Sequence, residues 1–180
     1  MRDSKGRVGR GWVRLAGVAL TLGLLACTDD LTPSDRDVRG PEQTEQTVAD
    51  FSVLTTGHER LSLDQLLEGQ RAVVLYFTMW CPICDAHMSH LLGEVAPAHP
   101  DVRVLIIDYV SATPEQSLQA QLAGGWGNAW VAVDEQGALT RQFQGTMGTT
   151  LVIDQARRLR MNEDYKDGRR LASLLEGLAP

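Results

Sequence analysis

The sequence predicts an α/β domain built on a central mixed β-sheet with helices on both faces. Two runs, "AVVLYFTM" (72–79) and "VRVLIIDYV" (102–110), are almost continuously apolar rather than alternating, the pattern of strands buried on both faces. Helical patterns separate the strand-like runs. Two β-rich segments near the C-terminus, split by a short turn, read as a closing hairpin. Buried strands joined through helices and finished by a hairpin imply a layered sheet with strands of both directions.

In chain order, "DFSVLT" (50–55) is the first strand and residues 72–79 the second. A helix follows over 82–96, where Cys84, Met88, Leu91, Leu92 and Val95 recur at i, i+4, i+7, i+8 and i+11 as one apolar stripe. Residues 102–110 form the third strand. The next helix, 114–123, opens with Thr113-Pro114-Glu115: a capping hydroxyl, a proline at the first helical position and an acid in the first turn. "TTLVID" (149–154) and "RRLRMNE" (157–163) form the hairpin, and 168–178 the last helix. Residues 48–180 have the length of one domain with one core. Residues 27–47, rich in Asp, Thr, Pro, Glu and Gln, bury too little apolar surface to offset their conformational entropy and are expected to be a tether. His58, His99, Trp126 and Trp130 fall in loops and carry no assigned chemistry.

The candidate chemistry lies in "FTMWCPICDAHM" (77–88). Cys81 stands where a buried strand ends and a helix begins, and Cys84 lies one turn inside that helix on its apolar stripe. Cys84 therefore faces inward. Cys81 is left at the helix N-terminus, where free N–H groups and the helix dipole stabilise a thiolate. An exposed, activated thiol with a buried partner suits thiol–disulfide exchange, the first attacking and the second resolving the mixed disulfide. Zinc needs four ligands, and no second C-x-x-C or H-x-x-x-H is present. Met88 reads as core, and His87 and His90 as solvated residues on one helical face.

"VADFSVLTTGHERLSLDQLLEGQRAVVLYFTMWCPIC" resembles the opening of the thioredoxin-like thiol:disulfide oxidoreductases of the TlpA/ResA type, and "GTMGTTLVIDQ" a later segment of the same family. The resemblance implies a thioredoxin-like fold, with Cys81 as nucleophile and Cys84 as resolving thiol. It also implies that Trp80 and Pro82 flank the substrate and that backbone around Met147, Gly148 and Thr149 receives it. No bound cofactor is implied: the redox centre is the Cys81–Cys84 pair itself, and the partners are protein thiols or disulfides of the cell envelope.

The chain departs from the family pattern at four places. The usual cis proline of the later segment falls on Gly148, and since a cis non-proline bond costs about 2.5–4 kcal/mol, a trans Met147–Gly148 peptide is expected. Glutamate and proline positions beyond the second cysteine are His87 and Ser89, and the buried acid of thioredoxin falls on Leu75. Glycine carries neither ring nor side chain, so the pair is expected to be open on that side. Cys81, Cys84 and His87 are then the candidates for a soft-metal site for Cu(I) or Zn(II), with no metal set secure.

Residues 1–26 combine Arg2, Lys5, Arg7, Arg10 and Arg14 with an uncharged apolar run, Leu15 to Ala26, too short to span a bilayer permanently: an export signal. "LLAC" (24–27) resembles the lipobox of bacterial lipoproteins, implying acylation of Cys27 and a protein anchored by lipid to a membrane on its extracytoplasmic side. The signal holds 5 of the 17 basic and 1 of the 23 acidic side chains, so the mature chain carries 12 against 22, near −10. That charge repels phosphate backbones, and nucleic acid is not an expected partner. Beside the disulfide oxidoreductase stand two alternatives. Thr78-x-x-Cys81 resembles the Thr-x-x-Cys of peroxiredoxin-like peroxidases, without their upstream proline (Val74 here); a copper chaperone resembling the SCO type would need C-x-x-x-C and a distal histidine, and no histidine follows His99.

Overall fold

The computed structural model describes residues 46–178. The signal, Cys27 and residues 27–45 of the expected tether lie outside them. Seven strands form one sheet in the order β2-β1-β5-β4-β3-β6-β7. They are β1 (Ser52–Thr55), β2 (Arg60–Ser62), β3 (Ala72–Thr78), β4 (Val102–Asp108), β5 (Val131–Val133), β6 (Thr149–Asp154) and β7 (Leu159–Asp164). β3 runs parallel to β4 and antiparallel to β6, so the sheet is mixed as expected. Every residue of β3 is buried, because both faces of this central strand are covered.

The alternate side chains of β3 supply two cores. Val73, Leu75 and Phe77 pack with Leu63 and Leu66 of α1 (Leu63–Leu67) and with Leu139 and Phe143 of α5 (Ala138–Phe143). Val74 and Tyr76 pack on the other face with Met88 of α2 (Pro82–His90) and with Leu171 and Leu175 of α6 (Arg169–Gly177). Leu75, at the position of the family's buried acid, is fully buried among apolar neighbours.

The helix after the cysteines is longer than the stripe requires and is interrupted. α2 passes through a π-helical turn, Leu91–Val95, into the short α3 (Ala96–Ala98). α4 (Pro114–Ala123) begins as expected, the Thr113 hydroxyl accepting from the Gln116 N–H. β2, β5 and α5 have no counterpart in the sequence reading; three, three and six residues are too short to show a period. The hairpin's second strand starts at Leu159 rather than residue 157, because a bulge at Val152/Ile153 and a left-handed Arg157 consume the turn. The domain also starts before residue 48: Thr47 bridges to Arg158, and the Leu159 N–H donates to the Gln46 carbonyl at 3.0 Å.

Candidate redox site

β3 delivers the site. Beyond Thr78 the chain turns sharply through Trp80, whose backbone is left-handed (φ 59°), and enters α2 with Cys81 as N-cap and Pro82 in the first turn. Two hydrogen bonds hold the turn: the Trp80 N–H donates to the Thr78 hydroxyl at 3.1 Å and the Trp80 indole N–H to Asp108 Oδ2 at 2.7 Å. Thr78 and Asp108 are register partners at the carboxyl ends of β3 and β4, so the carboxylate sits directly behind the turn.

The cysteines are joined as a disulfide with Cα atoms 5.0 Å apart. Cys84 is fully buried, and Cys81 is half-buried. Cys81 Sγ accepts the Cys84 backbone N–H at 3.1 Å, which is how a helix N-terminus stabilises charge on a capping sulfur. A cleft of about 470 Å³ opens beside the pair, lined by Trp80, Cys81, Met88, Ala120 and Trp126. Its Trp126 indole donates to Asp85 Oδ1 at 2.7 Å, so that tryptophan, to which the sequence suggested no role, forms a wall of the site.

The antiparallel register that sets Thr150 opposite Tyr76 brings the 146–149 loop against the cysteines. Met147 Sδ lies 3.4 Å from Cys81 Sγ. The described peptide bonds are all trans, including Met147–Gly148. Gly148 is left-handed (φ 83°), its N–H donates to the Phe77 carbonyl at 3.0 Å, and its own carbonyl accepts from Tyr165 at 2.7 Å. Thr149 donates to the Thr146 carbonyl at 3.0 Å. Within this loop the backbone groups of Met147 alone stay without a hydrogen-bond partner among the described residues.

Two expectations are corrected here. The place beside Gly148 is bordered rather than open: a Cβ there would meet the His87 ring at 3.8 Å, an ordinary van der Waals contact. Nor are His87 and His90 simply solvated. His87 Nδ1 shares a proton with the Tyr76 hydroxyl at 3.0 Å, and His90 Nδ1 with the Tyr165 hydroxyl at 2.6 Å. The rings of His87 and Tyr165 lie 5.0 Å apart, and Tyr76 meets Tyr165 edge-on. Burial lowers the His87 pKa, and burial followed by the charges of Glu94 and Asp167 pushes Tyr165 up to about 12. With burial also raising the Tyr76 hydroxyl, the rings of His87, Tyr76 and Tyr165 are neutral at neutral pH.

Gly148→Pro is expected to destabilise the domain by roughly 2–4 kcal/mol, seen as a lowered denaturation midpoint, since proline can neither adopt φ 83° nor donate to Phe77. Unchanged stability would mean the loop rebuilds around proline.

Comparison with known proteins bears on this geometry. The model of the AhpC/TSA family matches residues 44–161, more than half of the chain. The chain belongs to the AhpC/TSA family. Among solved structures, this AhpC/TSA protein is similar to the peroxidoxin BcpB of Mycobacterium tuberculosis, at 22% identity and a TM-score of 0.61 over 77% of this chain and 99% of that one. It is also similar to a thioredoxin-like protein from Aeropyrum pernix, at 21% identity and 0.59 over 71% and 88%. A third is a secreted Mycobacterium tuberculosis disulfide oxidoreductase homologous to E. coli DsbE, at 18% identity and 0.54 over 77% and 100%. These likenesses show the thioredoxin-like fold. A search of curated proteins finds no match. An AhpC/TSA domain on this fold is a redoxin, an oxidoreductase.

Proposed function

We propose that this redoxin is an extracytoplasmic thiol:disulfide oxidoreductase that exchanges disulfides with partner proteins through Cys81 and Cys84. The observation that carries the reading is the asymmetry of the pair: one half-buried sulfur capping a helix and accepting an N–H, the other fully buried beneath it. In the reducing direction the Cys81 thiolate attacks one sulfur of a partner disulfide, forming a mixed disulfide and expelling the partner's first thiolate. Cys84 then loses its proton and attacks Cys81 Sγ, closing the Cys81–Cys84 bond and releasing the second thiolate. Two electrons pass to the partner; oxidation of a partner dithiol is the same path reversed. The free backbone groups of Met147 are placed to pair with an extended segment of the partner, and Trp80 and Trp126 to receive its apolar side chains.

A peroxidase has weaker support. Thr78 is fully buried with its hydroxyl accepting the Trp80 N–H, and among the described residues no arginine lines the cleft. The reduced protein is expected to reduce insulin disulfides catalytically and to consume hydrogen peroxide no faster than an ordinary thiol; the opposite order of rates would replace this reading with the peroxidase. Anchoring by acylated Cys27 is part of the proposal, and Cys27→Ser should move the protein from the membrane to the soluble fraction or leave its signal uncleaved.

A further inference from the structure

Exchange chemistry leaves one feature of the site unused, the thioether of Met147. Its sulfur is in contact with Cys81 Sγ at 3.4 Å, and Cys81 is in turn bonded to Cys84, so three sulfurs from two elements converge at the start of α2. The thioether is not a wandering surface group. Its loop is fixed on both sides, by the Gly148 N–H on the Phe77 carbonyl and by the Thr149 N–H on the Thr146 carbonyl.

We infer that the reduced protein binds one Cu(I) ion through Cys81, Cys84 and Met147. Two thiolates and a thioether are a soft, all-sulfur set with a low coordination number, which suits Cu(I). Zn(II) requires a closed set of four nitrogen, sulfur or oxygen ligands, and among the described residues no three His, Cys, Asp or Glu side chains cluster to hold a metal. His87 therefore does not join the two cysteines in such a cluster among the described residues. Met147 thus replaces His87 as third ligand, and the site discriminates against zinc. Binding leaves copper as Cu(I) and releases the two thiol protons. It requires the dithiol, so metal binding and disulfide formation exclude each other.

This inference rests on the proposed dithiol but not on its exchange activity, and the two are tested on one preparation. In a Cys27→Ser background only Cys81 and Cys84 remain as thiols. The anaerobically reduced protein is titrated with Cu(I) against a chromophoric Cu(I) chelator. Expected are one ion per chain, no binding by the disulfide form or the Cys81→Ser, Cys84→Ser double variant, and no displacement by Zn(II). Met147→Leu should weaken binding about tenfold or more and remove one of three sulfur scatterers from the copper X-ray absorption spectrum. Equal affinity of wild type and Met147→Leu, or binding by wild type no tighter than by the double variant, overturns the site. Insulin reduction by the same reduced protein separates the failures: its loss with copper binding intact defeats the exchange reading alone, and its presence without copper binding defeats only the metal site.

Discussion

Replacing Cys81 by serine is expected to abolish insulin reduction, a loss on the order of 10³-fold or more, and to leave no mixed disulfide with partner proteins. Cys84→Ser should lose turnover to a similar degree yet accumulate those mixed disulfides, because the attacking sulfur is present and the resolving one is not. The contrast follows from their places: Cys81 Sγ is half-buried at the helix start with an N–H donated to it, whereas Cys84 has no exposed surface from which to meet a partner. In the reduced wild type, iodoacetamide at mildly acidic pH should accordingly label Cys81 well before Cys84. Trapping by Cys81→Ser instead, or equal labelling of the two thiols, would reverse the assignment.

The second large effect belongs to Asp108, the residue behind the redox turn. It is fully buried, and its carboxylate accepts from the Trp80 indole at 2.7 Å and from the backbone N–H groups of Val110 and Ser111 at 3.0 and 2.9 Å. Asp108→Ala strands three donors and is expected to destabilise the domain by about 3–5 kcal/mol. Asp108→Asn preserves the shape but turns an amide NH₂ against one of those donors, so it too should destabilise, by about 1–3 kcal/mol. Either change frees Trp80 from its left-handed turn and should slow exchange. Burial by itself would raise the Asp108 pKa, but the hydrogen bonds from Ser111 and Trp80 outweigh it and hold the carboxyl below its usual range. Its stabilisation is therefore fully present above the unfolded carboxylate value, about 3.9, and is lost as the pH falls through the lower folded value. Denaturation curves of wild type and Asp108→Asn should differ most near neutral pH and converge below about pH 4. A gap that stays constant through that range would show that the charge of Asp108 does not contribute.

The central strands and the places of the two cysteines, one capping a helix and one buried, were legible in the sequence because local signals specify them. β3 and β4 are continuous apolar runs, the sign of burial on both faces, and the stripe through Cys84 and Met88 aims the second cysteine at the core wherever the helix docks. A helix beginning at Cys81 is enough to place a capping sulfur at free N–H groups. Only tertiary structure decided the rest, because it depends on pairing between distant segments. The β3–β6 register sets Met147 on Cys81 from 66 residues away, and the β3–β4 register puts Asp108 behind Trp80. The sequence offered one faint sign of that carboxylate, a charge closing the apolar run of β4. Glycine at 148 suggested empty space, since a sequence shows what a residue lacks and not what fills its place. What borders it, at contact distance, is His87, held by Tyr76 of β3 and packed on Tyr165, which follows β7.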